Sequence, residues 1–439
     1  MPPQEPRQAQ QQTSAFSWAQ AHPYTILGSI VLVGWAFPFL LREHSEWEDV
    51  YLRAASNLLA GKDIYTLQDG YLYPPFMAWL ALPFTFLRHA VARVVWYVIS
   101  AACLFLMCRW AWLVSGGSAL QGAVVQDKKE HIIFFLGLAC GIRYAFDALS
   151  HQQPDIVIGA LLLGGCLALQ RKPSLLAGTW FGLAAAFKAT PLLWLSYLVW
   201  RGWWCAGVWL VCVALGANLL PNLVSTPEHG GLWLAQWIWR YVLPMGGANY
   251  YPGVWGSAAI FNQSLSGAVY RWFVTESNWT EAGLEVVERS NALSPATLKW
   301  LVYGSEAVLL LGTAFLFRRH SSDQSEAQGR TLPLRAALEY SVILLLMLLL
   351  SPMSSKAHFG TTILPGFCLA RLALRTKNAA FWTLLLIYIL AGILSNEFLW
   401  GERISSLALW YGSVTLSAFF LLVGCGYGLA RGTANEAED

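Results

Sequence analysis

YLYPPFMAWLALPFTFL, residues 71–87, contains an apolar stretch, Phe76–Leu87, that follows a Pro-Pro turn and carries Pro83 inside it. About twelve residues make ~18 Å of α-helix, against ~30 Å of bilayer hydrocarbon. The stretch is therefore too short to cross. That reading decides the fold, because apolar segments follow one another along the chain. Whether this one crosses sets the side of every loop after it.

The composition is that of a membrane protein. Of 439 residues, 56% are hydrophobic and 12% charged, with a mean hydropathy of +0.47. Soluble domains keep about a quarter of their residues charged. The net charge of +3 says little about partners. Without a basic stripe interleaved with aromatics, nothing suggests nucleic-acid binding, and none is expected. The N-terminal stretch MPPQEPRQAQQQTSAFS is polar and reads as a disordered cytoplasmic segment, 1–23. It lacks the basic start and small-residue cleavage site of a signal peptide. All eight cysteines fall in or beside apolar segments, with neither metal-ligand nor disulfide spacing.

Thirteen apolar segments run from Tyr24–Leu41 to Ile404–Leu429. The basic loops QDKKEH (126–131), QRKPS (170–174), Arg201, FRRH (317–320) and RLALRTK (371–377) belong on the cytoplasmic side. They land there together only if one early segment fails to cross, and Phe76–Leu87 is the best candidate to stay at half depth, as irregular segments can where protein covers them. Twelve spans over 24–430 remain, with both termini, including the tail 431–439, in the cytoplasm. The opposite face then receives the loops 42–90, 150–155, 221–298, 351–358 and 395–403 and the short turn FKATP (187–191).

The chemistry-bearing residues fall on that one face. In EWEDVYLRAASNLLAG (46–61), Val50, Ala54, Leu58 and Leu59 recur at helical spacing, so an amphipathic interfacial helix is expected, ended at Gly61. Glu46, Glu48 and Asp49 open it, where a helix dipole favours acids. Lys188 interrupts GLAAAFKATPLL (182–193), which reads either as an interfacial anchor or as a cation for a lipid-linked phosphate. Gly178 and Gly182 point to close helix packing. SPMSSKAHFG (351–360) puts Lys356 and His358 among hydroxyls, suited to a phosphate leaving group and a proton relay. Gln152, Gln153, Asn262 and Gln263 supply uncharged hydrogen bonders of the kind that read sugar hydroxyls. Asn262-Gln263-Ser264 and Asn278-Trp279-Thr280 are also glycosylation sequons. There is no P-loop, zincin motif or nucleophile elbow. No Asp-x-Asp pair offers itself for a nucleotide-sugar metal, so no metal and no cofactor are expected.

DVYLRAASNLLAGKDIY with YLYPPFMAWLALP, SHQQPDIVIGALLL through GLAAAFKATPLL, FNQSLSG and SPMSSKAHF occur here in an order that resembles glycosyltransferase family 87. That resemblance implies a GT-C fold and an integral-membrane enzyme of the bacterial inner membrane with its site on the extracytoplasmic face. It implies inverting transfer of a hexose, mannose first, from a polyprenyl-phosphate donor to a lipid or glycan acceptor. An arabinofuranosyl or other pentosyl transfer is the alternative. On this resemblance the base is one of Glu46, Glu48 and Asp49, with Asp49 favoured and Glu48 next. Lys188, Lys356 and His358 would stabilise the departing phosphate, while Gln152, Asn262, Gln263 and Tyr73 would contact sugar or acceptor. His151 stands where the family often has Gly before Gln. A lipid or polysaccharide transporter would instead show internal repeats and mid-membrane charges. A protein O-mannosyltransferase would carry different first-loop acids and a luminal domain.

Overall fold

The structure is a computed structural model that describes residues 23–42, 45–66, 70–117, 128–172, 174–228, 230–246, 259–280, 283–318 and 333–432. The stretch read as disordered lies outside the described residues up to 22, as does the tail from 433.

Residues 333–350 explain the centre. PLRAALEYSVILLLMLLL is apolar all round beyond its first turns, so the helix it forms, Pro333–Leu349, must be covered on every side. Tyr340 to Leu349 are all buried. Around it run long helices that cross a membrane by length and composition: His89–Val114, Lys128–Ser150, Trp204–Leu223, Pro295–Arg318, Lys356–Thr376 and Ser413–Arg431. Ala379–Ile393 and Glu397–Trp410, bent by 89°, make a seventh span if taken as one. Shorter apolar helices, among them Leu175–Phe187 and Thr190–Trp200, complete the bundle. The protein is thus a polytopic all-α membrane protein, with one departure. An antiparallel hairpin of β1 (Thr275–Thr280) and β2 (Gly283–Glu288) lies in the 221–298 loop.

We number the helices used below α1 (Pro23–Leu40), α2 (Arg53–Leu59), α3 (Phe76–Thr85), α4 (His89–Val114), α5 (Lys128–Ser150), α6 (Asp155–Arg171), α7 (Leu175–Phe187), α8 (Trp204–Leu219) and α9 (Ile363–Thr376). Small residues set the close contacts. A Cβ on Gly178 or Gly182 of α7 would come within 2.5 Å of the Ala206 oxygen or 2.7 Å of the Leu210 oxygen of α8. Gly137 and Gly141 of α5 likewise admit Phe367 and Ile363 of α9.

The first loop folds back onto the bundle. A π-helical turn, Trp47–Leu52, leads into α2, which ends with Gly61 at φ +67° and a Lys62 N–H donating to the Asn57 carbonyl at 2.9 Å. This is the expected glycine stop. The π turn also brings Trp47 and Tyr51 inward with Ala54 and Leu58, while Leu59 is left exposed. The apolar face is therefore wider than the helical spacing alone indicates. α3 is the short segment, ten residues long. Its first amide, Phe76, donates to Asn218 Oδ1 at 3.1 Å, and Ala78 N–H donates to the Tyr71 hydroxyl at 3.0 Å.

At the opposite end of the helices lie paired charges. Glu130 accepts from Arg371 at 2.7 Å and from Arg375 at 3.0 Å. Glu339 meets Arg201 and the Tyr197 hydroxyl. These pairs draw on three of the basic segments assigned to one side by loop charge, 126–131, Arg201 and 371–377.

Candidate active site

Two turns and a break converge at the other end. α5 ends and α6 begins within SHQQPD, α7 breaks at Lys188, and residues 356–362 form a 3₁₀ turn before α9. The α5–α6 turn needs a left-handed residue, and Gln152 takes it at φ +59°. Pro154 then precedes Asp155, the first residue of α6, where the dipole favours an acid.

Asp155, Lys188 and His358 meet there. Lys188 Nζ lies 3.3 Å from Asp155 Oδ1 and 2.6 Å from His358 Nε2. His358 Nε2 lies 3.6 Å from the same Asp155 oxygen. The three side chains are 18%, 7% and 11% exposed for Lys188, Asp155 and His358. The Ser355 amide donates to His358 Nδ1 at 3.0 Å. An amide can only donate, so the neutral ring carries its proton on Nε2, facing Lys188. Lys188 can accept that proton's hydrogen bond only as an amine. Burial also lowers the Lys188 pKa, against the opposing pull of Asp155 and Glu46. The Lys188 ammonium position sits 5.7 Å from the centre of the Tyr73 ring, within cation–π range once charged.

Glu46 joins this group. Gln153 Nε2 donates to both its oxygens, at 2.8 and 2.9 Å. Burial raises its pKa, opposed by the Gln153 bond and by His151 and Lys188. A cavity of about 20 Å³, room for about one water, is lined by Asp155, Lys188, Ser351, Ser354, His358 and Thr361. Asp155 Oδ2 and Thr361 Oγ1, on residues that line this cavity, are buried with no hydrogen-bond partner among the described residues, as is Gln153 Oε1 beside Glu46. Buried polar atoms are nearly always satisfied, so these atoms suit a hydrogen-bonding ligand. Among the described residues, no three His, Cys, Asp or Glu side chains come together as a metal site.

The expected site residues separate on inspection. Lys188, His358 and Tyr73 come together. Glu48 does not join them, because Arg93 holds it in a two-pronged pair at 2.6 and 2.5 Å that ties the first loop to α4. Asp49 is 47% exposed and lies 3.8 Å from Arg53 one turn on. Lys356 lies in the 3₁₀ turn with no acid partner among the described residues. Gln152 is tied to the fold through its Nε2, which donates to the Phe39 carbonyl at 2.9 Å, while its Oε1 is buried with no partner among the described residues. Asn262 and Gln263 are clamps as well. Asn262 Oδ1 accepts from Ser354 N–H at 3.1 Å, and Gln263 Nε2 donates to the Leu409 carbonyl at 2.8 Å. This burial also removes Asn262 as a glycan acceptor, whereas Asn278 on β1 is exposed.

The residue of this turn with positive φ is Gln152 and not His151, so the backbone position that would suit a glycine is Gln152. Gln153, next in the chain, is the residue on Glu46. Asp155 went unnoticed in the sequence, although an acid at the mouth of an apolar segment is itself a signal.

Residues 71–352 match the family model described as "Glycosyltransferase family 87". The chain belongs to that family. The match includes Tyr73, Gln153, Asp155 and Lys188, while Glu46 and His358 flank it and reach the site through the fold. No curated protein matches the chain. Among solved structures, the crystal structure of ArnT from Cupriavidus metallidurans bound to undecaprenyl phosphate is similar over 93% of this chain and 78% of that chain. The identity is 13% and the TM-score 0.40.

Proposed function

We propose that this family 87 member transfers a sugar from a polyprenyl-phosphate donor to an acceptor hydroxyl at the extracytoplasmic face, with inversion. Mannose is the sugar we favour. The observation that carries the reading is the buried cluster of Glu46, Asp155, Lys188 and His358, which places a carboxylate base and phosphate-binding groups around unsatisfied polar atoms.

Glu46 is the base, since it is the first-loop acid that faces the cluster. It takes the acceptor proton as the acceptor oxygen attacks the anomeric carbon from the face opposite the phosphate. The sugar–phosphate C–O bond breaks and its electron pair leaves with the phosphate. Lys188 and the His358 Nε2–H meet the charge that grows there, and Lys356 in the same turn adds to the field. Asp155 holds Lys188 and His358 in place, and Gln153 orients Glu46. Lys188 takes up a proton as the phosphate arrives, because an anion beside it favours the ammonium. The 20 Å³ cavity is too small for a sugar, so the 351–358 loop and the first loop must part to admit one.

The test is donor consumption. Purified protein receives polyprenyl-phosphate mannose and host lipid extract, and release of polyprenyl phosphate is followed. Release with a mannosylated product supports the reading. Release only with a pentosyl donor changes the sugar. No release with any lipid-linked sugar, together with lipid flux across vesicles, points to a transporter.

A further inference from the structure

A second cavity, separate from the cluster, opens between α1, α4 and α5. Its volume is about 460 Å³, within the roughly 300–1,000 Å³ of ligand pockets. The lining is apolar, with Leu27 and Val31 of α1, Phe105 of α4 and Phe135 of α5 exposed along it. One charged side chain lines it, Arg109. Arg109 is exposed and makes no hydrogen bond or ion pair among the described residues. It lies five residues before Val114, the last residue of α4, or about 7.5 Å of helix. That depth lets a guanidinium reach the headgroup level while its stem covers apolar surface.

The charge around it is one-sided. Lys128 and Lys129 open the facing helix α5. The acid of that turn, Glu130, is already held by Arg371 and Arg375. An unpaired cation over an apolar groove calls for an anion that carries its own hydrocarbon. This end is also the one where loop charge places the cytoplasm and its anionic leaflet. We infer that the groove between α1, α4 and α5 binds an anionic glycerophospholipid, with its phosphate on Arg109 and an acyl chain along the apolar wall. It is a site distinct from the transfer cluster and at the other end of the helices.

The full-length protein, carrying a photo-reactive phenylalanine analogue at position 135, is placed in vesicles of phosphatidylglycerol or phosphatidylcholine and irradiated. The expected result is a lipid adduct about tenfold more abundant with phosphatidylglycerol, as one charge-assisted contact supplies. Arg109→Gln should erase that preference and leave the phosphatidylcholine adduct and the melting temperature unchanged. Gly28 lines the groove, and a Cβ there meets nothing within 4 Å. Gly28→Phe should therefore suppress both adducts without disturbing the packing. Equal adducts from the two lipids, or a preference that survives Arg109→Gln, would overturn the inference. So would an adduct to residues 1–22 or to a second copy of the chain in place of lipid.

Discussion

Glu46, Glu48 and Asp49 are adjacent in sequence and chemically alike, yet their surroundings give them different work. Glu46 is buried beside Gln153 and the Lys188 cluster, where a raised pKa suits a base. Glu46→Gln should lower kcat by about 10²–10⁴-fold with donor binding nearly intact. Glu48→Gln should act on stability instead, because it leaves Arg93, at 17% exposure, with the Leu40 and Arg42 carbonyls but without its carboxylate counter-charge. Removing one partner of such a pair costs about 3–5 kcal/mol when it is fully buried, so a loss of a few kcal/mol in denaturant titration is expected here. The pH profile follows from the two shifted groups. Activity needs Glu46 ionised, so it falls on the acid side through a pKa above the usual carboxylate value. Donor affinity needs Lys188 charged, so it falls on the alkaline side through a pKa below that of an ordinary lysine. Lys188→Arg should move the alkaline limb upward, since a guanidinium keeps its proton. Calorimetry in buffers of different ionisation enthalpy should find proton uptake on donor binding that grows as pH rises through the Lys188 pKa, and none in Lys188→Arg.

At the scale of elements, the helix-breaking signals were legible and the partners of polar side chains were not. Gly61, the Pro-Pro turn before α3 and the glycine pair of α7 each do what local chemistry dictates, because their roles depend on φ or on close approach. The π turn at Trp47 was hidden, since it slides the inward face by a residue and no composition signal marks it. Asn262, Gln263 and Gln152 look in sequence like readers of sugar hydroxyls. An amide staples a loop with the same atoms, and which use it serves depends on contacts more than ninety residues away, such as Asn262 to Ser354. The turn at 150–155 gives a sharp comparison. Gln152→Gly suits the left-handed backbone and should leave kcat near that of the native enzyme, whereas Gln153→Ala should lower it by freeing Glu46. Gly141→Val in α5 would drive side-chain atoms into Ile363 and the Gly360 carbonyl, whose Cβ contacts already fall at 2.4 and 2.7 Å. Overpacking costs about 1–3 kcal/mol. It should also displace the 3₁₀ turn that carries His358, so melting temperature and turnover should fall together.

Over the whole molecule, ion pairs and the polar cluster lie at opposite ends of the helices, an arrangement that accords with the sidedness proposed from loop charge. Basic pairs such as Glu130–Arg371 lie at one end, and the cluster of Glu46, Asp155, Lys188 and His358 lies at the other. The site assembles from segments more than three hundred residues apart because helix lengths alternate the chain between two ends. Twelve crossings remain our proposal. Single cysteines at Glu285 on the hairpin and at Lys377 test it, with impermeant label expected to reach the first from outside and the second only from the cytoplasm. The central claim is that Glu46 faces the donor and Asp49 does not. The direct measurement is the rate of polyprenyl phosphate release from polyprenyl-phosphate mannose by the native protein, Glu46→Gln and Asp49→Asn, side by side. Loss of release in Glu46→Gln with near-native release in Asp49→Asn is expected; the reverse pattern would remove Glu46 as the base.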